Sequence, residues 1–575
     1  MPGMGPISEH HLLVFLLQLT VILLLARGLG ELFRRRRQPA VTAELLAGIL
    51  LGPSVLGRFL PRLHAALFPS DPFQIAMLDT VAWLGVLLLM LDTGLEIDFS
   101  IAWRRRRQAL ALAAAGLAVP FLLALPPVWF ALPSLRVLPD PSLRLPATLF
   151  LAAAVAISAM PVAARILRDL DLLKTDLGLL VLSALAVKDV FGWALFTVVL
   201  ALHARGTFAP LPAAALLLST AALAALVLGP GRALASRLYD ALRARRCPEP
   251  ATSLTLTVLL GLLLGAAAQR IGIHALFGFF LAGVMVGEAE HLSEGTRATI
   301  SQMVHAVFVP VFFASIGLQL DLFASFRLSL FLPLLLLEIA LRFLGAFLGA
   351  ALARLPRADR LLAAVAHTPG GMMEIVVGLL ALRAGLVPPP VFAALVAAAI
   401  ATSMLLGPWM NALLRLRRAS ADDACRAVLP VASLAVRTRL DALQTLARLA
   451  HDPSLPGWPG PEAAADALLA RESLQGTALG RGLAIPHARI PGLRTPRLLL
   501  ARVPSIPDWD SPDSLPVTLV VCLFSPSGDN DLHVQILSRV ARSLTPNAVQ
   551  ALQNASPDRF PALVRSTLAP ARTGT

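Results

Sequence analysis

Hydropathy divides the chain into two regimes. From residue 11 to about 413, long apolar stretches are broken by clusters of arginine, proline and glycine; beyond them the apolar runs shorten and charge spreads through the sequence. Stretches of spanning length fall near 11–30, 40–57, 76–97, 108–133, 146–167, 177–201, 209–230, 251–270, 274–288, 300–320, 328–353, 361–385 and 389–413. A helix needs about 20 apolar residues to cross a bilayer. The pattern therefore predicts a polytopic α-helical membrane protein of about 13 spans over residues 1–415, with bounds good to about three residues. A junction, 416–434, contains a candidate buried strand at 429–433. Residues 435–575 alternate helical spacing (439–450, 461–472, 531–553) with strand-like runs (498–503, 517–524), which predicts a soluble, compact α/β domain.

Composition agrees with the apolar pattern, since 57% of the 575 residues are hydrophobic and only 15% charged. The formal net charge of +14 invites a nucleic-acid reading. Its placement argues otherwise: 23 arginines and lysines lie in the odd-numbered loops and just after the last span, against 8 in the even-numbered loops. That bias sets membrane orientation, with the N-terminus outside and the C-terminal domain in the cytoplasm of a bacterial-type inner membrane. Met1 to His10 carries no basic segment ahead of the first apolar run, so that run is read as a retained span. Cys247, Cys425 and Cys522 have no metal-like spacing, so neither a metal site nor a disulfide framework is expected, nor any cofactor.

Two words recur in the apolar region. Leu46-Ala-Gly-Ile-Leu-Leu-Gly52 returns as Leu281-Ala-Gly-Val-Met-Val-Gly287, and Gly94-Leu-Glu-Ile-Asp98 as Gly317-Leu-Gln-Leu-Asp321. The second and third spans thus match the ninth and tenth. An offset of seven spans is odd, so the halves run in opposite directions, the inverted-repeat plan of secondary transporters. Helix-breaking sequences also occupy matching places: Ile157-Ser-Ala-Met-Pro161 in the fifth span and His367-Thr-Pro-Gly-Gly371 in the twelfth. Pro161 and Pro369 each remove a backbone donor and free a carbonyl, so two broken helices crossing there place dipole ends and polar residues such as Ser158 and Thr368 near the midplane.

Between the breaks in sequence lies Ser183-Ala-Leu-Ala-Val-Lys-Asp-Val-Phe-Gly-Trp193, which sets Lys188 and Asp189 inside an apolar span. A charge there costs on the order of 3 kcal/mol and is kept where it binds something, so Asp189 is the candidate ion or proton carrier. Adjacent residues point about 100° apart on a helix and pair poorly. The chain has 47 Arg and only two Lys, and lysine, unlike arginine, can release its proton when buried, so Lys188 is read as a counter-cation beside the site. Arg342, mid-span in the eleventh segment, is read as a structural cation balancing Glu374, Asp189 or half-helix carbonyls, or else paired with Glu338 a turn earlier. Gly345 and Gly349 would let another helix approach closely.

These residues, with Gln38 to Gly57, Gly94-Leu-Glu96 and Phe312-Phe-Ala-Ser-Ile-Gly-Leu318, resemble the monovalent cation:proton antiporters of the Kef-like branch over residues 11–413. The resemblance implies a homodimer in which a core of crossed broken helices moves against a dimerisation domain. It places the obligate aspartate of the sixth span at Asp189 and the basic residue of the eleventh at Arg342, where lysine is common. One departure is Lys188, since the family usually has Asp, Asn or Gln before the obligate aspartate.

In the α/β region, Gly480-Arg-Gly-Leu-Ala-Ile-Pro-His-Ala-Arg489 presents His487 beside Arg489, and His533 opens a helix after Asp529 and Asp531. A neutral imidazole can take a phosphoryl group while a nearby arginine and a helix N-terminus stabilise the charge. With Leu469-Ala-Arg-Glu472 and Asp508-Trp509, residues 435–570 resemble the fructose/mannitol-type enzyme IIA domain of the sugar phosphotransferase system. That resemblance implies that His487 accepts a phosphoryl group from a phosphocarrier protein, with His533 as the second histidine.

Three functional classes are open: an antiporter with a regulatory domain, a gated potassium efflux system, and a sugar-transport component. A permease would carry a further acceptor domain and a sugar-sized polar site, and a channel a filter of carbonyls and glycines. The expectation is a transporter, not an enzyme, that exchanges sodium or potassium for protons by alternating access under phosphorylation-linked control.

Overall fold

The computed structural model describes residues 8–35, 38, 40–97, 106–134, 140–170, 172–173, 175–204, 206, 210–245, 248–287, 292–452, 457–527 and 530–568. Lys174, Cys247 and Asp529, and the Asp98 end of one repeat, lie outside these residues. Contacts divide the chain into two compact units, Met1–Met410 and Asn411–Thr575. The division falls inside the last long helix, which runs on through part of the expected junction to Arg426.

The first unit is helical. Its elements are α1 (Glu9–Arg35), α2 (Ala40–Leu51), α3 (Pro72–Leu95), α4 (Arg106–Ser134), α5 (Arg144–Ala156), α6 (Met160–Asp169), α7 (Asp176–Ala204), α8 (Pro210–Leu226) and α9 (Arg232–Ala244). They continue with α10 (Ala251–Ile271), α11 (Ala275–Gly287), α12 (Glu294–Met303), α13 (Val309–Gln319), α14 (Leu328–Leu352), α15 (Arg357–Ala366), α16 (Met372–Arg383) and α17 (Pro389–Arg426). Eleven helical stretches among the described residues are long and apolar enough to span a bilayer. The two remaining expected spans have physical reasons to fall short. The 13 residues of α11 rise only about 20 Å, and the twelfth span is split into α15 and α16 by its break.

The repeated words mark close helix contacts. Gly48 of α2 packs on the Ala314 carbonyl, and Gly317 of α13 packs back on the Leu45 carbonyl. Their counterparts do the same: Gly283 of α11 meets the Leu91 carbonyl, and Gly94 of α3 meets that of Phe280. A side chain at any of the four would collide with backbone, which is why glycine recurs there. Gly345 and Gly349 of α14 likewise seat α4, against Pro120 and Leu112.

In the second unit a mixed sheet of β1 (Leu429–Val431), β2 (Ala478–Gly480), β3 (Leu483–Ala484), β4 (His487–Ile490), β5 (Arg497–Ile506) and β6 (Val517–Pro526) runs in the order β1-β5-β6-β3-β2, with β4 also on β6. Alternate residues of β5 and β6 feed opposite cores. Leu499, Ala501, Val520 and Cys522 pack with α18 (Arg439–Ala450) and α19 (Pro461–Leu474). Leu498, Leu500, Leu519 and Val521 pack with α20 (Asn530–Ser543), α21 (Pro546–Asn554) and α22 (Phe560–Leu568). Two expectations change here. The run 531–553 is two helices, because Thr545 caps and Pro546 starts a new one, and β1 is a half-buried edge strand rather than a buried one.

Candidate functional site

Both predicted breaks are present, and they touch. Helix α5 stops at Ala156 and α6 resumes at Met160, one residue before Pro161; α15 stops at Ala366 and α16 resumes at Met372, after Pro369. The Ala159 N–H donates to the Pro369 carbonyl at 2.9 Å. Gly371 lies so close to Ala159 that a Cβ would strike it. Helix α17 steadies the second break: Gly370 N–H donates to Thr402 Oγ1 at 2.9 Å, and Ser403 Oγ donates to the Gly370 carbonyl at 2.8 Å.

The freed carbonyls converge on one side chain. Arg342 is fully buried and donates to the carbonyls of Val155 (2.8 Å), Ala154 (3.0 Å) and Thr368 (3.3 Å), so it closes the C-terminal ends of both half-helices. Its Nη2 also meets Glu374 Oε2 at 2.9 Å, and Nη1 lies 3.7 Å from Glu338. Of the partners open to Arg342 in sequence, Glu374 and the half-helix carbonyls take it at hydrogen-bond distance, with Glu338 farther off. Glu374 sits in the first turn of α16, where the helix dipole favours an anion.

Helix α7 packs on the first break through Gly192, whose added Cβ would lie 3.0 Å from Ile157. Asp189 is three residues earlier and shares that side of the helix. It is 1% exposed, and neither carboxylate oxygen has a hydrogen-bond partner. Lys188 is equally buried, its Nζ also unpartnered, so the adjacent pair does not satisfy itself. The Lys188 stem runs toward Gly116 of α4, which it shares with the His367 ring. Ser158 Oγ and His367 Nε2 are further buried atoms without partners, whereas Thr368 Oγ1 is spent on the Val365 carbonyl at 2.7 Å. No group of three or more His, Cys, Asp or Glu side chains suited to a resident metal occurs among the described residues.

A cavity of about 190 Å³ leads to the crossing and is lined by Glu44, Pro161, Arg165, His305, Gly371 and Ser403 among others. His305 Nε2 bonds Asp92 at 3.0 Å, and Ser301 donates to the same carboxylate oxygen at 3.3 Å.

In the second unit His487 opens β4 and faces His533 of α20, with ring centroids 5.2 Å apart. Arg471 Nε donates to His487 Nε2 at 3.1 Å, so that nitrogen carries a lone pair; Nδ1 then holds the proton and donates to the Ile485 carbonyl at 2.8 Å. Burial, together with Arg471 and Arg489, holds His487 below the usual histidine range, against the Ile485 bond. Burial and then the His487 ring push His533 down to about 4, and its Nδ1 is bonded to Ser525 Oγ at 2.6 Å. Arg489, expected beside the imidazole, is exposed on the same strand face and acts on it electrostatically; Arg471 makes the hydrogen bond. The neighbour Glu472 joins the two outlying motifs by accepting from Trp509 Nε1 (2.8 Å), Thr477 N (2.9 Å) and Thr477 Oγ1 (2.6 Å).

Several residues of these sites were not legible beforehand. Thr402 and Ser403 are hydroxyls in an apolar helical run, where the usual partner is the residue's own chain one turn back, and Ser525 is a lone hydroxyl in an apolar strand. Glu44 did carry a signal, an acid inside an apolar span.

The family described as sodium/hydrogen exchanger, transmembrane, matches residues 20–416, and that of the phosphoenolpyruvate-dependent sugar phosphotransferase system, EIIA 2, matches residues 431–560. Cation/H(+) antiporter 17 of Arabidopsis thaliana is 34% identical over 71% of this chain and 49% of its own length. The Na(+)/H(+) antiporter NhaS4 of Synechocystis is 28% identical over 70% of this chain and 97% of its own length. The chain spans about half or less of the length of the plant relatives it matches. In fold, the sodium proton antiporter MjNhaP1 of Methanocaldococcus jannaschii superposes with a TM-score of 0.50 at 18% identity, over 69% of this chain and 95% of that one. With the crossed breaks and the paired histidines in place, the chain belongs to the sodium/hydrogen exchanger family and carries an EIIA-type domain after its membrane part.

Proposed function

We propose that the membrane unit is a secondary antiporter that exchanges sodium or potassium for protons, with Asp189 as the exchanging carboxylate. The observation that carries this reading is a buried carboxylate with both oxygens unpartnered, on the helix packed against the first break. Leaving such a group unpaired costs several kcal/mol unless a proton or a cation occupies it. Competition of the two for one carboxylate is the coupling that antiport needs. The names of the relatives, which are cation/H+ antiporters, support the ion class. The tie between Ala159 and Pro369, and the grip of Arg342 on both half-helices, support movement of the crossing as one body. Ser158 adds a neutral oxygen for a bare ion, and Lys188 supplies counter-charge when Asp189 is empty. If Lys188 stays charged throughout, exchange is one for one.

The α/β domain accepts a phosphoryl group at His487 and thereby sets transport activity. In that step Nε2 attacks the phosphorus of a phosphohistidine on a carrier protein. The new N–P bond forms as the old one breaks, and the carrier imidazole leaves with the electron pair. Arg471 turns from Nε2 to the phosphoryl oxygens while Nδ1–H stays on Ile485. The protein works as a homodimer in a bacterial-type inner membrane, with the N-terminus outside and the α/β domain cytoplasmic, a reading that rests on family likeness and arginine placement. The test is cation-dependent collapse of a pH gradient in proteoliposomes, run with each alkali metal, and transfer of labelled phosphate to His487.

A further inference from the structure

Glu44 is the cavity's unexplained charge. It lies on α2 within the apolar stretch Ala43-Glu-Leu-Leu-Ala47, is 7% exposed, and its Oε2 has no hydrogen-bond partner. Of the basic groups around it, His305 and Arg27 attract Glu44 electrostatically but make no ion pair with it among the described residues. His305 is committed to Asp92 at 3.0 Å, and no ion pair joins Arg165 to Glu44 among the described residues. An unpaired carboxylate in such a place is costly to keep and is retained where a ligand fills it. The cavity has room for several waters, and its lining includes Gly371 of the second break and Ser403, which hydrogen-bonds to that break. A partly hydrated cation entering there meets the positive field of Arg165, and Glu44 offsets it.

We infer that Glu44 is a cation-capturing carboxylate of this vestibule, a second binding point that holds a monovalent cation on its way to the crossing; the inference rests on Asp189 being the exchange site. Capture at Glu44 sets apparent affinity, while turnover is set by Asp189 and the moving crossing. A proton relay at Glu44 would instead alter turnover.

Full-length protein in proteoliposomes, assayed over a range of NaCl and of KCl, separates these outcomes. Glu44→Gln raises the KM for the transported cation about fivefold or more while kcat falls no more than twofold. Glu44→Asp lies between it and the wild type. Arg165→Gln shifts KM the other way and offsets much of the Glu44→Gln defect in the double variant. An unchanged KM in both Glu44 variants, or a lower kcat at unchanged KM, overturns the inference; poor assembly of Glu44→Gln leaves Glu44→Asp and Arg165→Gln to decide it. Exchange surviving in Asp189→Asn would instead remove Asp189 as the exchange site, whatever Glu44 does.

Discussion

The backbone N–H of Ala159 reaches across to the carbonyl of Pro369 at 2.9 Å, so the two interrupted spans are joined by a hydrogen bond at their breaks. Proline makes this geometry possible on both sides, since each ends one helical ladder and leaves carbonyls to be satisfied elsewhere. Arg342 satisfies three of them.

Arg342 is therefore expected to dominate the stability of the membrane unit. Replacing it by Gln leaves Glu374 and the carbonyls of Ala154, Val155 and Thr368 without their cation, at a cost of roughly 3–5 kcal/mol. Lysine keeps the charge but not the fork, so Arg342→Lys should fall between. Thermal unfolding in detergent checks the order wild type, Lys, Gln; equal midpoints would show that the carbonyls find other partners.

The glycine contacts give a sharper contrast. Gly48→Ala and Gly94→Ala push a methyl into the Ala314 and Phe280 carbonyls, a clash costing about 1–3 kcal/mol or more. Gly28→Ala, with nothing within 4 Å on α1, should be neutral or stabilising by up to about 1 kcal/mol. Size-exclusion profiles and melting points of the three variants test this.

Much of this plan was legible because prolines, glycines and intramembrane charges are rare events in an apolar chain, and each constrains backbone or solvation directly. The breaks at Pro161 and Pro369 and the unpaired state of Lys188 and Asp189 follow from such local rules. What pairs with what across the fold does not. Arg489 is two residues from His487 and shares its strand face, yet the imidazole is held by Arg471 from a separate helix, a contact fixed only when α19 packs on the sheet. Likewise Thr402 and Ser403 reach the second break only because α17 lies beside it.

In the α/β domain, Arg471→Gln should slow phosphoryl transfer to His487 on the order of 100-fold, by removing the donor that meets the transferred group. Arg489→Gln, which acts through solvent, should slow it less than tenfold. Label uptake from a phosphorylated carrier protein measures both, and the opposite ranking would reassign the arginine.

The same domain should weaken in acid. His533 sits near 4 in the fold, below the usual 6.5, so between these values the unfolded chain binds the extra proton. Its contribution, on the order of 3 kcal/mol at most, is present above about pH 6.5 and lost as pH falls toward 4. Residues 411–575 form a compact unit with their own cores, so their melting point can be followed alone. It should drop over this window, and less so in His533→Gln.

The central claim is that Asp189 carries the exchanged ion. Asp189→Asn keeps the shape of the buried side chain but cannot alternate between proton and cation. In proteoliposomes with an imposed pH gradient, the wild type should dissipate the gradient on addition of sodium or potassium. Asp189→Asn, equally folded and inserted, should leave it intact with every alkali metal. Cation-dependent dissipation by that variant at a rate near the wild type's would contradict the account and place the exchange site elsewhere.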